Sequence, residues 1–270
     1  MRNQGVMAVG LAAAGLILVG CGAAEPTAAP PLPAASASPA VLLDNAAQTT
    51  RSAGSARIMS TMTVGSGADG TSVRAEGVVD FEGDEAALRV SSSIFGGGSD
   101  LQVILSQDTS YIQVPMFGQK WVAMPLKDLN VNLPDPSSSL DMLTDLADLT
   151  VVGKEPVDGV EATKYTGRID VKDAIGLAPQ LPSARTPAAP DLDKVSGTVA
   201  VTVWVDEEQR IVRFDQRGTI DTGAGAPMAS SSSTTLTDFG VATDIAPPPA
   251  DQVIEGEKLS QLDGLAGTGG

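Results

Sequence analysis

The chain of 270 residues contains no histidine, a single cysteine and few aromatic residues, and each scarcity excludes a class of function. Without histidine, serine–histidine and cysteine–histidine catalytic pairs, imidazole metal sites and a histidine pH switch are excluded. One cysteine forms neither an intrachain disulfide nor a cysteine-rich zinc site. Five Phe, two Trp and two Tyr are too few for platforms that stack single-stranded nucleic acid.

Basic residues are also scarce, since 17 Lys and Arg stand against 33 Asp and Glu, a formal net charge of −16. Nucleic-acid binding needs clustered cations that replace the phosphate counterions, so no nucleic-acid partner is expected. The same charge argues against anionic membrane surfaces as partners. An acidic binding domain remains possible, as does a hydrolase that works with carboxylates alone.

The first 21 residues have the pattern of a bacterial lipoprotein signal. Arg2 precedes an uncharged run from Gly5 to Gly20, which is shorter than the roughly 20 residues that span a bilayer and fits the apolar region of a signal peptide. The run ends in Leu18-Val19-Gly20-Cys21, typical of a lipobox with an aliphatic residue, a small residue and the acceptor cysteine. The alternative is a plain membrane helix with an incidental cysteine.

This pattern predicts a signal peptide over residues 1–20 and lipidation of Cys21. Two or three acyl chains would give stable attachment to the outer face of the cell membrane, so an extracytoplasmic location is expected. Residues 21–40, rich in Ala, Pro and Ser, are predicted to form a flexible tether. The folded domain is predicted over 41–246 and a disordered tail over 247–270, after three prolines.

Hydrophobic periodicity predicts one helix followed by antiparallel strands. Residues Val41–Thr49 have helical spacing. From Ala56 onward apolar and polar residues alternate, in runs bounded by Gly, Asp or Ser, which is typical of an antiparallel meander. The strands are expected at Val73–Phe81, Leu88–Ile94, Leu101–Leu105, Tyr111–Val114, Lys120–Ala123, Thr150–Lys154, Val160–Asp170, Thr198–Val205, Arg210–Arg217 and Thr234–Val241.

Helical spacing returns at Leu140–Leu149, which follows three serines that can cap a helix. A short helix is expected at Lys172–Leu177 and a mobile loop at Pro179–Pro190, which holds four prolines. About 200 residues in these elements are enough for one domain.

Polar clusters offer little chemistry. Asp141, Asp145 and Asp148 share one face of the predicted helix and could hold calcium, but the preferred interpretation is the solvated face of an amphipathic helix. The acidic turn Asp206–Glu208 is interpreted as a solvated hairpin turn, and Ser230–Ser233 as a polar loop entering a strand. Gly96–Gly98 lacks the Lys-Ser or Lys-Thr of a phosphate loop and is interpreted as a turn or bulge. No catalytic residue, metal site or cofactor is predicted.

The two tryptophans and the aliphatic strand faces leave two interpretations open. Trp121 and Trp204 either pack in the structure or line a ligand site. If Val199, Val201 and Val203 point inward, Trp204 points outward or into a second layer. A curved sheet with a small aliphatic lining can enclose a cavity, and an ordinary packed core shows the same alternation.

The chain resembles the actinobacterial LppX/LprAFG lipoproteins, which share a fold with the periplasmic lipoprotein carrier LolA. The similarity spans roughly Leu42 to Val241 and lies in the lipobox and several strand segments. These are the helix leading into Ser55-Ala56-Arg57, Ala75–Phe81, Tyr111 followed by Trp121, Val157–Tyr165 and Val203–Asp206.

This resemblance implies an α+β fold, in which a curved antiparallel half-barrel wraps over a few helices and a hydrophobic pocket accepts acyl chains. It implies a non-enzymatic protein that binds and transfers lipids or glycolipids in the cell envelope, with a transporter or receptor as a possible envelope partner. The alternative is a structural or sensor lipoprotein that recognises an envelope partner without a ligand cavity. The residues expected to line the pocket are Val79, Phe81, Leu88, Val90, Leu101, Val103, Leu143, Leu146, Val201, Val203, Val212 and Phe214.

Overall fold

The computed structural model describes residues 37–65, 70–92, 100–106, 108–113, 120–126, 136–171, 195–221 and 227–256. Several predictions lie outside the described residues and stay predictions. They concern the signal peptide, Cys21, residues 21–36 of the tether, Gly96–Gly98, Lys172–Leu177, the loop Pro179–Pro190 and residues 257–270.

The described residues form two helices, one 3-10 turn and twelve strands. The helices are α1 (Pro39–Ser52) and α2 (Pro136–Thr144), and the 3-10 turn is Ala250–Gln252. The strands are β1 (Ser55–Val64), β2 (Thr71–Asp80), β3 (Glu85–Ser92), β4 (Leu101–Ser106), β5 (Thr109–Gln113), β6 (Trp121–Pro125), β7 (Ala147–Val157), β8 (Val160–Asp170), β9 (Thr198–Asp206), β10 (Ile211–Ile220), β11 (Met228–Thr237) and β12 (Val253–Glu255).

All twelve strands belong to one sheet, in the order β12-β6-β5-β4-β3-β2-β1-β11-β10-β9-β8-β7. Each neighbouring pair is antiparallel except β12 and β6, which are parallel. The sheet is curved and unclosed. Side chains from α1, α2 and one face of the sheet form the main hydrophobic core. The predicted α+β fold with a half-barrel sheet is therefore confirmed.

Helix α1 begins two residues before the predicted start of the domain. The hydroxyl of Ser38 accepts a hydrogen bond from the backbone N–H of Val41, and proline occupies the first helical position, where its missing N–H costs nothing. Gly54, with a φ of 79°, follows the helix in the left-handed conformation that glycine adopts readily. The helix buries Leu43, Ala46, Ala47 and Thr50 against the sheet.

Thr50 joins α1 to the sheet and carries the first testable prediction. Its fully buried hydroxyl donates to the carbonyl of Ala46 at 2.7 Å and accepts from the N–H of Ile211 at 2.8 Å. Replacing Thr50 by the isosteric valine leaves that N–H buried without its partner, so the free energy of unfolding should fall by about 1–3 kcal/mol. Urea denaturation measures this loss.

Thr49→Val is the matched control. The hydroxyl of Thr49 donates to the carbonyl of Asn45 at the exposed side of the same helix, and its loss should change stability by less than about 0.5 kcal/mol. Equal losses for the two variants would show that the contact with Ile211 contributes nothing.

The second helix begins and ends earlier than the sequence predicted, and the serines expected to cap it lie inside its first turn. It ends at Thr144, and Ala147 already begins β7, where Thr150 pairs with Thr166 of β8. Leu146 and Leu149 have a spacing that suits either element, and both still pack against the main core. Pairing with β8 therefore overrides the local helical preference, which is a weak determinant compared with tertiary contacts.

The C-terminal segment also differs from the expectation of a disordered tail from residue 247. After three prolines the chain makes the 3-10 turn, and β12 then pairs with Trp121–Ala123 of β6. The ammonium group of Lys120 donates to the carbonyl of Asp251 at 2.7 Å. Proline ends a strand because it lacks an N–H, but it does not prevent a new edge strand a few residues later.

Candidate functional site

The candidate site is the face of the sheet that α1 and α2 cover, which we call the inner face. Directly paired residues share a face and successive residues alternate between faces. Eleven of the predicted lining residues come together here: ten belong to the main core, and Leu101 packs against it half-buried. The ten are Val79, Phe81, Leu88, Val90, Val103, Leu143, Leu146, Val201, Val203 and Phe214.

Val212 was predicted to belong to this group and does not. It lies in a second cluster on the opposite, outer face, with Val157, Ala162 and Trp204. The register between β9 and β10 shifts between Ile211 and Arg213. An extra residue at this bulge interrupts the two-residue alternation, so Val212 and Phe214 point to opposite faces. Trp204 accordingly packs in a second layer, one of the two positions expected for it.

Burial changes along the inner face. At the end where α1 enters the sheet, Ala56, Val79, Leu105 and Ile211 are at most 7% exposed. At the other end the inner-face residues are half-buried, and we call this the open end. Its members are Met62, Val64, Val73, Leu101, Val199, Gln216, Ser230 and Ser232. The inner face is thus apolar and buried at one end, and mixed apolar and polar at the other.

The inner face carries no charged residue on β1–β6 and β9–β11, as far as these strands are described. Charged residues such as Arg57, Glu76 and Arg89 occupy the alternate positions and are exposed on the outer face. Burial raises the pKa of the inner-face hydroxyl of Tyr165, so this phenol is neutral at physiological pH. The lining therefore offers neutral groups to anything that enters it.

Ser230–Ser233 lie inside β11, and the predicted loop is not observed. Ser230 and Ser232 face inward at the open end, whereas Ser233 pairs with Asp215 on the outer face. Deeper in, the hydroxyls of Ser60 and Thr234 bond to each other at 3.0 Å and are buried. A run of serines contains no apolar alternation, so its strand character was invisible in the sequence.

A groove of about 810 Å³ crosses the sheet, and most of its lining residues lie on the outer face. It contains the exposed Met59 and the buried Trp121 together with Arg57, Arg89 and Asp158. Only Leu88 and Val103 of the predicted lining residues border it. This groove was not foreseen, because charged and apolar residues alternate here as on any solvated strand face.

The three aspartates of the expected acidic helix face are dispersed. Asp141 lies on α2 and hydrogen-bonds to Arg51, whereas Asp148 lies on β7 with a φ of 52° and bonds to Arg168. Within the described ranges no group of three or more acidic or cysteine side chains is placed to hold a metal ion. The common face assumed for calcium binding does not exist, because the helix ends before Asp145.

The acidic turn is only partly solvated. Glu207 and Glu208 are exposed, but Asp206 is buried and accepts hydrogen bonds from the guanidinium of Arg210 at 2.7 and 2.8 Å. A third bond comes from the backbone N–H of Arg210, also at 2.7 Å. Because every contact of this carboxylate closes its own hairpin, the turn is a structural element.

A polar cluster covers Trp204 on the outer face, and sequence reasoning missed it. The indole N–H donates to Glu155 at 2.6 Å, and Lys164 donates to the same carboxylate at 3.1 Å. Both bonds lower the pKa of Glu155. The cations of Lys164 and Arg213 lie over the Trp204 ring, 5.2 and 5.1 Å from its centroid. The electrons of the ring face attract both cations. Hydrogen bonding to Asp215 raises the pKa of Arg213.

Comparisons with known proteins found one curated relative and several solved structures that are similar to the chain. No protein-family model matches it. A curated relative from Streptomyces griseus, an uncharacterized 31.2 kDa protein in the rplA-rplJ intergenic region, is 23% identical over 84% of this chain and 82% of its own length. LprF from Mycobacterium bovis is 17% identical over 78% of this chain and 97% of its own, with a TM-score of 0.44.

The lipoprotein LppX from Mycobacterium tuberculosis is 17% identical over 78% of this chain and 100% of its own, with a TM-score of 0.49. The resemblance stated from the sequence, to LppX/LprAFG-type lipoproteins, is confirmed to this extent. The fold itself is defined by the chain's own strand order and register. Of the helices described, none has the length and apolar character needed to cross a membrane.

Proposed function

We propose that this protein is a lipid-anchored extracytoplasmic lipoprotein that binds lipids or glycolipids on the inner face of its sheet and transfers them in the cell envelope. The observation that carries the proposal is the inner face itself. On the described parts of β1–β6 and β9–β11 it presents an uncharged lining that is apolar beneath the helices and half-buried at the open end. Such a surface suits a ligand with a long apolar part and a neutral polar part.

Burial of acyl chains supplies enough free energy for binding. Each buried methylene contributes about 0.8 kcal/mol, so a chain of about 15 methylenes contributes about 12 kcal/mol. Association and ordering cost about 4–15 kcal/mol, so one or two chains are sufficient. No hydrogen bond to the lining is needed for affinity, and polar groups at the open end set orientation.

Replacing Met62 by aspartate should weaken binding of a fluorescent acyl probe by at least about tenfold. Met62 faces inward at the open end, between Val73 of β2 and Ser232 of β11. A carboxylate there must lose water when an acyl chain approaches, which is unfavourable. A probe titration of the purified protein, followed by fluorescence, measures the change.

Thr61→Asp is the control, because Thr61 precedes Met62 on β1 and faces outward beside Arg74. Its probe affinity should stay within about twofold of the unsubstituted protein. Loss of binding in both variants, or in Thr61→Asp alone, would contradict an inner-face site. Failure of the unsubstituted protein to bind any acyl probe, or to carry lipid after purification, would contradict lipid binding altogether.

The anchor has its own test in Cys21→Ala. Removing the thiol should abolish incorporation of labelled palmitate and either release the protein or leave its precursor uncleaved, since no acyl group can then hold it. Gel analysis of membrane and soluble fractions measures both results. Membrane retention of a correctly processed Cys21→Ala protein would refute lipidation as the anchor.

A second candidate function is recognition of an envelope partner through the outer groove. The groove combines the exposed, apolar Met59 with Arg57, Arg89 and Asp158, a mixture that resembles protein-recognition surfaces more than acyl-chain pockets. A protein that binds no acyl probe, and whose cellular role is lost on charge reversal at Arg57 and Arg89, would favour this candidate over lipid binding.

A further inference from the structure

We propose that the inner face selects lipids with an uncharged, hydroxyl-bearing head group over lipids of the same chain length that carry a phosphate or carboxylate. This inference rests on the proposed function, since it names the class of lipid that the same site accepts. It follows from which side chains the strand register turns inward.

One row of paired residues crosses the open end of the inner face. Val73 of β2, Met62 of β1, Ser232 of β11, Gln216 of β10 and Val201 of β9 are successive cross-strand partners. The hydroxyl and the amide can each donate and accept hydrogen bonds. In the middle of the row a neutral polar head group would meet these two neutral partners, and the half-buried Val73 and Met62 would contact its chains. Val201, at the other end of the row, is buried in the main core.

The adjacent row has the same character. Ser230 of β11 lies between Val64 of β1 and Gly218 of β10. Gly218 has no side chain, so the Ser230 hydroxyl has an apolar neighbour on one side and backbone on the other. The two serines, which are half-buried, are therefore accessible to a head group, unlike the buried pair Ser60 and Thr234.

Cations are turned away from this lining. Arg57, Arg74, Arg89, Arg213 and Arg217 all occupy outer-face positions of their strands. On the neighbouring hairpin of β7 and β8, Lys154 and Glu161 have inward register but are exposed at its tip, toward the α1 end. Because none of the described inner-face residues at the open end is a cation, a phosphate or carboxylate there would lose water without gaining an ion pair from them, which is strongly unfavourable.

The overall charge of −16 also repels anionic lipids, so the test must separate the lining from the long-range field. Two variants on β11 do this. Ser232→Lys and Ser233→Lys add the same charge at adjacent positions, but Ser232 faces inward and Ser233 faces outward. If the lining sets the preference for neutral lipids, only the inward-facing lysine should change that preference. If overall charge sets it, both lysines should change it equally. Gln216→Lys is a second inward variant, for use if Ser232→Lys does not fold.

The experiment titrates the folded protein with two pyrene-labelled lipids of identical acyl chains, a diacylglycerol and a phosphatidic acid. The unsubstituted protein should bind the diacylglycerol at least about tenfold more tightly. Ser232→Lys should remove or reverse this preference, while Ser233→Lys should leave it within about twofold. Circular dichroism and urea unfolding confirm that each variant is folded.

Three results would overturn the inference. Equal binding of both probes by the unsubstituted protein would refute selectivity and leave lipid binding standing. Equal shifts in Ser232→Lys and Ser233→Lys would attribute the preference to overall charge and not to the lining. Binding of neither probe would refute both the selectivity and the proposed function.

Discussion

Replacing Arg210 by methionine is expected to lower the free energy of unfolding by about 3–5 kcal/mol. The side chain of Asp206 is completely buried, and the guanidinium of Arg210 donates two hydrogen bonds to one of its oxygens. Removing one partner of a buried ion pair leaves the other charge without compensation. The backbone N–H of Arg210 still bonds to Asp206 in the variant, but it carries no charge.

Methionine is chosen because it preserves the apolar contact. The guanidinium of Arg210 lies over the ring of Phe239 at 4.6 Å, and a flexible thioether can also pack against an aromatic ring. The measured loss then reports on the buried carboxylate and not on a cavity. Guanidinium chloride denaturation at neutral pH measures it, with the circular dichroism of the sheet as the signal.

Glu208→Gln is the control for this hairpin. Glu208 also contacts Arg210, at 3.3 Å, but its side chain is 65% exposed. Exposed ion pairs contribute less than about 1 kcal/mol, so this variant should retain nearly all of its stability. If Arg210→Met and Glu208→Gln lowered the free energy of unfolding equally little, the ion pair of Asp206 and Arg210 would not be a major source of stability.

The strands were predictable because their inner and outer residues obey a simple alternation. In β2, the inner residues Ala75 and Val79 are buried, while Arg74 and Glu76, on either side of Ala75, are exposed. This contrast in burial is what a period of two encodes. Helix α1 was predictable for the same reason, since its buried residues recur with helical spacing. The bounds of α1 and of β2–β10 were predicted within a few residues, whereas β11 begins six residues before its predicted start and β12 was not predicted.

Features that depend on how strands pair were not predictable. Strand β11 lies between β1 and β10. It follows β10 directly in sequence but is far from β1, and nothing local records its pairing with β1. The end of α2 depends on β7 pairing with β8, and the orientation of Val212 depends on a bulge opposite β9. In each case pairing with another strand, and not the local sequence, decides between two conformations.

The candidate site likewise contains residues that alternation predicts and residues that only strand pairing reveals. Its apolar residues were found from alternation alone, because aliphatic side chains on one strand face predict burial. Its polar residues Gln216, Ser230 and Ser232 were missed, because a serine-rich strand resembles a loop in composition. Their common face becomes visible only through the pairing of β11 with β1 and β10. The selectivity proposed for this site rests on these residues.

Replacing Gly77 by alanine is expected to lower the free energy of unfolding by about 3 kcal/mol or more. Gly77 lies in β2 between Ile58 of β1 and Leu88 of β3. A Cβ atom there would stand 2.0 Å from the carbonyl oxygen of Ala87 and 3.0 Å from the Cα of Leu88. Both are backbone atoms of β3, so relief requires the strand itself to move.

Gly83→Ala is the matched control, a second glycine in the turn that follows β2. There the nearest atom to an added Cβ is the Cγ of Glu85, at 3.3 Å, which belongs to a half-buried side chain and not to backbone. Its stability should stay within about 0.5 kcal/mol, or rise slightly because alanine restricts the unfolded chain. Urea denaturation of both variants, with equal slopes, makes the comparison direct.

The result for Gly77→Ala also bears on function. Gly77 has inner-face register, but it has no side chain, and its backbone also lines the outer groove. Movement of β3 away from β2 would displace Leu88 and Val90, which are buried on the inner face. A folded Gly77→Ala protein should therefore bind an acyl probe less tightly, while Gly83→Ala binds normally. A Gly77→Ala protein with unchanged stability would show that β3 adjusts freely and that the close approach of these strands imposes no constraint.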